Sequence, residues 1–372
     1  DDDGHFMFDH SLPMGANYTL TPTKDDNPSN GVTTYDLVVL EKHILALELL
    51  NSPYKLIAAD ANRSGSVTTF DIIELRKLIL GIYTDLPNNT SWRFVDHDYV
   101  FPNPLNPFES VFPENKSFEN IASDHMADDF IAVKIEVMNI SALPNSLMSV
   151  QERSQGMLLF DVDDRMVQAG ETFTVSFATA EQVKGYQFTM NTGNLEVLEI
   201  LPGEQMDATN FAVFASRQAV TTSWSVGGHA NFAIRFRATT AGKISDMLAV
   251  SGSITKAEAY SPGNEQMQIG FRFHEKDGGV TLAAQRFELY QNQPNPFIDR
   301  TVIGFFLPEA TTATLSVFDE TGRLLHTQKG DYAKGYNAVT LEGRELDANG
   351  VLYYKVTTPT NSATRTMIQT RD

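Results

Sequence analysis

Two segments near the start of the chain repeat one pattern of polar residues, and each runs directly into an apolar stretch. The segments are DDNPSNGVTTYD, residues 25–36, and DANRSGSVTTFD, residues 60–71. The similarity continues beyond them at a constant offset of 35 residues. Apolar residues at helical spacing follow each segment: Leu37, Leu40, Ile44 and Leu47, then Ile72, Leu75, Ile79 and Ile82. This spacing predicts a duplicated unit of one polar loop and one amphipathic helix.

Oxygen-bearing residues occupy both loops in the order that calcium-binding loops use. Such a loop needs oxygen ligands at positions 1, 3, 5, 7, 9 and 12, with a left-handed backbone tolerated at position 6. Asn30 and Gly65 occupy position 6. The predicted ligands, with carbonyl oxygens at position 7, are Asp25, Asn27, Ser29, Gly31, Thr33 and Asp36, then Asp60, Asn62, Ser64, Ser66, Thr68 and Asp71. The pattern predicts two calcium ions, and two carboxylates per loop indicate dissociation constants on the order of 10⁻⁴ M or somewhat tighter.

The repeat differs from an ordinary EF-hand, because position 12 is Asp and neither loop shows a convincing preceding helix. Pro22 precedes the first loop, and a linker through Pro53 leads into the second. Residues 23–83 resemble a dockerin module. The resemblance implies that calcium folds the module and that its loop–helix surface binds a cohesin partner. The recognition positions of that family fall on Thr34, Tyr35, Thr69 and Phe70, although a place in the core is the alternative for both aromatic rings.

Composition limits the class of protein. The chain has 372 residues, a formal net charge of −19 and 42% hydrophobic residues, which predicts two to four globular domains and no nucleic-acid partner. It contains no cysteine, so disulfides and thiolate metal sites are excluded. No apolar run is long enough to predict a transmembrane segment. The DDDGHFMFDH start carries no signal core, which predicts a processed or truncated chain.

Two segments flank the predicted calcium module. Residues 1–22 read as the terminal hairpin of a truncated prealbumin-like β-sandwich, with a hairpin packed on the module as the alternative. Residues 84–145 are rich in Pro, Asn and Phe and predict an ordered extension. Asp96, His97 and Asp98 in this extension mimic a metal cluster, but adjacent residues of a strand point to opposite faces. We therefore expect no metal there.

From residue 146 to 275 the pattern is β, with alternating strands separated by Gly, Asn and Asp turns. This alternation predicts an antiparallel sandwich. The order AGETFTVSF, GYQFTMN, LEVLEI and AEAYSPGNEQMQIGF resembles a cohesin-like domain. Tyr186, Phe188, Trp224 and Tyr260 are candidates for partner contact or glycan stacking, with a place in the core as the simplest alternative.

Residues 283–372 carry a second set of recognisable motifs. They begin with FELYQNQPNPF and continue through TVIGFFLPEATTATLSVFDETGRLL and GVLYYKVTT to RTMIQTRD. This segment resembles the type A C-terminal sorting domain of the type IX secretion system. The matching residues are Asn292, Pro294, Asn295, Pro296, Phe297, Leu307, Pro308, Asp319, Gly322, Arg323, Gly350, Val351, Tyr353, Tyr354, Arg365 and Met367. The resemblance implies export across the outer membrane of a Gram-negative cell, followed by release or by sortase-dependent anchoring.

The sequence therefore predicts a multidomain, mainly β protein. A small α-helical dockerin-like calcium module precedes a cohesin-like β-sandwich and a C-terminal fibronectin-like β-sandwich. No catalytic motif emerges, so we expect a non-enzymatic, calcium-stabilised protein of the cell surface or medium, with a structural or adhesive role. Its expected partners are dockerin-like or cohesin-like modules of the same or another surface protein, the secretion and sortase machinery, and cell-surface glycans. Module contacts between chains predict a fibre. The alternatives are the anchoring region of a secreted polysaccharide-degrading enzyme and a glycan-binding module.

Overall fold

The computed structural model describes residues 6–8, 12–121, 123, 128–138, 156–346 and 348–370. The chain divides into two compact units, residues 1–145 and 146–372. Strands make up 43% of the described residues and helices 13%, so the protein is mainly β with several sheets, as the sequence predicts. None of the described helices is long and apolar enough to cross a membrane.

The described part of the first unit contains three helices and four short strands. The helices are α1 (Thr34–Ile44), α2 (Pro53–Ala59) and α3 (Thr69–Ile79). The strands are β1 (Tyr18–Leu20), β2 (Trp92–Asp96), β3 (Lys116–Phe118) and β4 (Phe130–Lys134). β1 pairs with β3 and β2 pairs with β4, both antiparallel.

α1 and α3 confirm the two predicted helices, and both begin with the same capping arrangement. Thr33 and Thr68 are the N-cap residues, and each side-chain oxygen accepts a hydrogen bond from the amide two residues on. Asp36 and Asp71 accept hydrogen bonds from the N-cap amides at 3.0 Å and 2.8 Å. These bonds satisfy amides that have no partner inside a helix. The residues at positions 9 and 12 of each loop therefore also cap the N-terminus of the helix that follows.

One hydrophobic core joins these helices to the extension that follows them. Its buried members from the helices include Leu37, Leu40, Leu56, Ile57, Leu75 and Leu78. Its members from the extension include Val95, Phe101, Phe112, Val133 and Ile135. Because each such side chain contributes about 1.5–3 kcal/mol when fully buried, the extension accounts for a large part of the core's stability.

Two features of the first unit differ from the sequence-based expectation. The second loop does have a preceding helix, since α2 ends directly before Asp60; Pro53 starts this helix at a position where proline is favoured. The strand β1 pairs with β3 of the extension rather than with another described strand of residues 1–22. Thr19 pairs with Ser117, 98 residues further along the chain, and such a long-range pairing leaves no local signal in the sequence. Residues 1–5 and 9–11 of the predicted hairpin lie outside the described residues.

The second unit begins, in its described residues, with a large β domain. Its strands are β5 (Met157–Asp164), β6 (Met166–Val167), β7 (Thr172–Thr179), β8 (Gly185–Asn191), β9 (Leu195–Pro202), β10 (Phe211–Phe214), β11 (Ala219–Trp224), β12 (Asn231–Ala238), β13 (Gly242–Lys243), β14 (Ala249–Ser251), β15 (Glu258–Tyr260), β16 (Gln266–Glu275) and β17 (Val280–Ala284). A short helix, α4 (Ile244–Met247), precedes β14.

Eleven of these strands form one continuous sheet that encloses an aromatic core. The strand order is β10-β11-β8-β15-β16-β5-β7-β12-β9, with β14 added on β8 and β17 on β16. In the core the rings of Phe177 and Phe232 stack with their centroids 4.8 Å apart. Two details differ from the predicted antiparallel sandwich of residues 146–275. β5 and β16 pair in parallel, a long-range pairing that alternation does not encode, and β17 extends the domain beyond residue 275.

The C-terminal part of the second unit forms two smaller sheets. The strands are β18 (Glu288–Leu289), β19 (Arg300–Leu307), β20 (Thr311–Phe318), β21 (Leu324–Tyr332), β22 (Gly335–Glu342), β23 (Gly350–Thr357) and β24 (Ser362–Gln369), with one short helix, α5 (Gly343–Leu346). The strand orders are β18-β19-β22 and β21-β20-β23-β24. Buried residues of both sheets, among them Phe305, Leu315 and Tyr354, form a separate hydrophobic core.

Candidate metal centre

The second loop folds around the carboxylate of Asp60. Its two oxygens accept hydrogen bonds from the amides of Ser64 and Gly65, at 2.8 Å and 2.9 Å. Gly65 has a φ of +76°, so position 6 takes the left-handed conformation that the sequence predicts. The Ser64 hydroxyl lies 3.2 Å from the carbonyl oxygen of Ser66 and 3.4 Å from Asp60 Oδ1. Oxygens from positions 1, 5 and 7 are therefore already gathered within the reach of one cation.

Asp71 supplies a second buried carboxylate to the same loop. Its oxygens accept hydrogen bonds from the amide of Asn62 at 3.3 Å and from the amide of Thr68 at 2.8 Å. Burial raises the pKa of Asp71, and the charge of Asp60 raises it further. Among the described residues, no lysine or arginine pairs with either carboxylate. A doubly charged cation that prefers oxygen ligands fits this set, and Asp60, Asn62, Ser64, the Ser66 carbonyl, Thr68 and Asp71 would hold it.

The first loop has a different conformation. Its left-handed residues are Asn27, with φ +46°, and Gly31, with φ +78°. The prediction that Asn30 takes this conformation is wrong, because the adjacent Gly31 adopts it at lower steric cost. The exposed Asp25 uses Oδ1 to accept a hydrogen bond from the amide of Ser91 at 2.7 Å. Asp36 is fully buried, and its Oδ1 accepts a hydrogen bond from the amide of Met138 at 2.9 Å.

Several residues of the extension that bind the loops were missed by the sequence analysis. The Ser91 hydroxyl donates to the carbonyl of Asp26 at 2.9 Å. The side-chain amide of Asn89 donates to the carbonyl of Asp60 at 3.0 Å. The Lys134 ammonium donates to the carbonyl of Pro28 at 2.8 Å. The extension thus contacts both loops and limits the conformations that they can adopt.

Two ionisable residues, Lys134 and Glu136, are buried beside these loops and interact through their charges without a direct hydrogen bond. Lys134 is 5% exposed and Glu136 is 1% exposed. Neither carboxylate oxygen of Glu136 has a hydrogen-bond partner among the described residues. Burial raises the pKa of Glu136 to about 8 and lowers the pKa of Lys134 to about 8, while the opposite charge of each counteracts part of the shift. The sequence signal for these buried ionisable residues is the presence of two charged residues within the apolar segment IAVKIEVM.

The recognition positions of the two copies are not equally accessible. In the first copy Thr34 is fully buried and Tyr35 is half-buried. In the second copy Thr69 is exposed and 67% of the Phe70 surface is exposed, so the core alternative for Phe70 is wrong. The second copy therefore presents an apolar side chain at the start of α3.

Other candidate residues have structural roles. Lys116 contacts Asp98, Asp128 and Asp96 at 2.9 Å, 3.1 Å and 3.5 Å, so an ammonium neutralises the cluster that resembled a metal site. No group of three or more His, Asp or Glu residues suited to a metal occurs within the described residues. Each predicted loop offers only two carboxylates, with the remaining oxygens from Asn, Ser, Thr and the backbone.

The aromatic candidates Tyr186, Phe188, Trp224 and Tyr260 are all buried, which agrees with a place in the core.

Five of the sixteen residues that carry the resemblance to a sorting domain are buried between the C-terminal sheets, among them Asn292 and Tyr354. The Tyr354 hydroxyl donates to the carbonyl of Tyr290 at 2.7 Å and accepts from the amide of Asn292 at 2.9 Å. Phe297, Leu307 and Met367 are also buried. Val351 and Tyr353 are instead 45% and 40% exposed.

No protein-family model matches the chain, and a search of curated proteins finds no relative. Solved structures give weak similarities. Dimeric latent PorU from Porphyromonas gingivalis is 10% identical over 78% of this chain and 31% of its own, with a TM-score of 0.23. A tandem of titin immunoglobulin domains is 7% identical over 59% of this chain and 95% of its own, with a TM-score of 0.18. A β-glucuronidase from Parabacteroides merdae is 8% identical over 54% of this chain and 29% of its own, with a TM-score of 0.21. The chain thus spans about a third of PorU and of the glucuronidase.

Proposed function

We propose that this chain is a non-catalytic, calcium-stabilised structural or adhesion protein of the cell surface or the medium, whose two loops bind two calcium ions. The observation that carries the proposal is the geometry of the second loop. Asp60, Ser64 and the Ser66 carbonyl converge there, and a second buried carboxylate, Asp71, closes the loop. A cation relieves the repulsion between the two carboxylates and supplies folding energy.

Direct counting of bound ions tests this proposal. Native mass spectrometry of the full chain in calcium should show two bound ions, and a chelator should remove both. Asp60→Ala combined with Asp71→Ala should abolish binding at the second loop. A chain that carries no calcium at millimolar concentration would refute the proposal.

The proposed partner is a cohesin-like module, on this chain's neighbours or on another surface protein. The exposed Phe70 at the second recognition position supports this choice, since exposed aromatic residues are enriched at protein interfaces. Contacts between different surfaces on neighbouring copies generate open fibres when their rotation does not close.

Sedimentation velocity of the full chain tests this association. We expect calcium-dependent association that Phe70→Ser abolishes. Ile82→Ser is the matched control, because Ile82 is 48% exposed but lies outside the recognition positions. Strictly monomeric particles at high concentration, in calcium and in chelator alike, would refute self-assembly.

The proposed location rests on the resemblance of residues 283–372 to a sorting domain. A reporter fused to these residues should reach the surface of a Gram-negative host that has a type IX secretion system. Deleting residues 356–372 removes β24 and with it the buried Met367, so export should stop. Equal export of the shortened fusion would contradict the proposal.

A further inference from the structure

The polar groups of the two loops have different hydrogen-bond partners. In the second loop, both oxygens of Asp60 bind amides of the loop itself. In the first loop, Asp25 Oδ1 is bound by Ser91, and the Pro28 carbonyl is bound by the ammonium of Lys134. Both Ser91 and Lys134 belong to the extension, which lies outside the repeated module.

We propose that the positive charge of Lys134, which is bound to the first loop, opposes calcium binding there, so that the two loops bind calcium unequally. The second loop takes up calcium first, and the first loop binds its ion more weakly. This inference rests on the proposed calcium binding and adds a residue that sets the order of the two ions.

The physical reason is the repulsion between an ammonium and a nearby divalent cation. Lys134 is almost fully buried, and its Nζ lies 5.9 Å from the centre of the Trp92 ring. Water therefore screens its charge poorly. The carboxylates of Asp25 and Asp26 stabilise this ammonium, as does Glu136 when it is ionised, whereas Lys24 opposes it. A calcium ion entering the first loop competes with Lys134 for these same negative charges.

The conformation of the first loop adds a second cost. Asp25 is exposed and bound to Ser91, so it must share or release that amide to bind a metal. In the second loop the amides that bind Asp60 belong to the loop itself, so they hold Asp60 beside Ser64 and Ser66 instead of binding it to the extension. Ligands that are already in place bind with a smaller loss of conformational entropy.

Calorimetric titration of the chelator-treated full chain with calcium chloride tests the inference. We expect two binding steps whose affinities differ by at least about tenfold. Asp60→Ala should remove the tighter step, and Asp25→Ala should remove the weaker one. Lys134→Met should tighten the weaker step by about tenfold, since one ammonium no longer opposes the ion.

Two further variants control for folding and for net charge. Lys134→Met with Glu136→Gln removes both buried ionisable groups, and it should also tighten the weaker step. Lys24→Met removes an ammonium that lies equally far from the Trp92 ring, 5.9 Å, but that pairs with Asp26 instead of Pro28. It should change the weaker step less than Lys134→Met does.

Some outcomes would overturn the inference and leave calcium binding intact. These are two steps of equal affinity, loss of the weaker step on Asp60→Ala, or no tightening in either variant that lacks Lys134. Absence of any binding heat, supported by mass spectra without bound metal, would instead overturn the proposed function as well.

Discussion

Replacing Asp71 with asparagine should have opposite consequences with and without calcium. Asparagine keeps an oxygen that can accept the Thr68 amide, now 2.8 Å from the carboxylate, and loses the weaker 3.3 Å bond from Asn62. The lost bond costs about 1 kcal/mol or less. Without metal this cost is offset, because the raised pKa of Asp71 means that its buried charge already destabilises the fold. We expect the metal-free variant to be within about 1 kcal/mol of the wild type.

In calcium the variant should lose the stabilisation that the second ion site contributes. A site with two carboxylates has an expected dissociation constant on the order of 10⁻⁴ M. Calcium at about 10 mM is then about a hundredfold above this constant, and one ion stabilises the fold by about 2.7 kcal/mol. For a unit of this size the melting temperature should fall by roughly 5–10 °C relative to wild type in calcium.

The assay uses the chain's two tryptophans, one in each unit. Trp92 belongs to the first unit, and Trp224 is fully buried in the second. A Trp224→Phe background therefore makes tryptophan fluorescence report on the first unit alone, and thermal melts are compared in calcium and in chelator. If Asp71→Asn lowers the melting temperature equally in both conditions, the carboxylate acts only as a helix cap and the reasoning is refuted.

Three other changes test the remaining contacts. Asn89→Ala removes one buried hydrogen bond to the Asp60 carbonyl, which keeps the Arg63 amide as a donor, and should destabilise the first unit by about 0.5–1.5 kcal/mol in chemical denaturation. An unchanged unfolding midpoint would contradict a role for Asn89 in holding the loop. Glu136 has a pKa raised to about 8, so the folded state binds its proton more tightly than the unfolded state, and stability should fall as the pH rises from about 5 to 8. Glu136→Gln should weaken this pH dependence and increase stability at pH 8, whereas an unchanged profile would show that Glu136 is not the responsible group. Tyr354→Phe removes the hydroxyl that joins Tyr290 to Asn292 and should cost about 1–3 kcal/mol in the C-terminal sheets, measured by denaturation of the full chain against the exposed control Tyr353→Phe.

Local signals explain what the sequence could predict. The helices after both loops follow from apolar spacing together with Thr and Asp at fixed positions, and Thr33 and Thr68 do cap them. Gly65 was predictable for the same reason, since only nearby residues decide the turn. The buried state of Tyr186 and Trp224 agrees with the ordinary tendency of aromatic side chains to fill a core.

Contacts between distant residues explain what the sequence could not predict. Ser91 binds Asp25 across 66 positions, and Lys134 binds Pro28 across 106 positions, and neither pairing follows a periodic pattern. The parallel pairing of β5 with β16 is likewise set by the whole fold. The prediction that Pro53 belongs to a linker is wrong. Proline breaks the interior of a helix but is favoured at a helix start, where Pro53 lies.

The central claim is that the second loop binds calcium through oxygens that are already gathered around Asp60. A crystal structure of the full chain grown with calcium, with the ion identified by its anomalous signal, tests this most directly. We predict an ion about 2.3–2.6 Å from oxygens of the predicted ligands, which are Asp60, Asn62, Ser64, the Ser66 carbonyl, Thr68 and Asp71. A second loop without an ion at millimolar calcium, with the Asp60 carboxylate still bound only to the amides of Ser64 and Gly65, would contradict it.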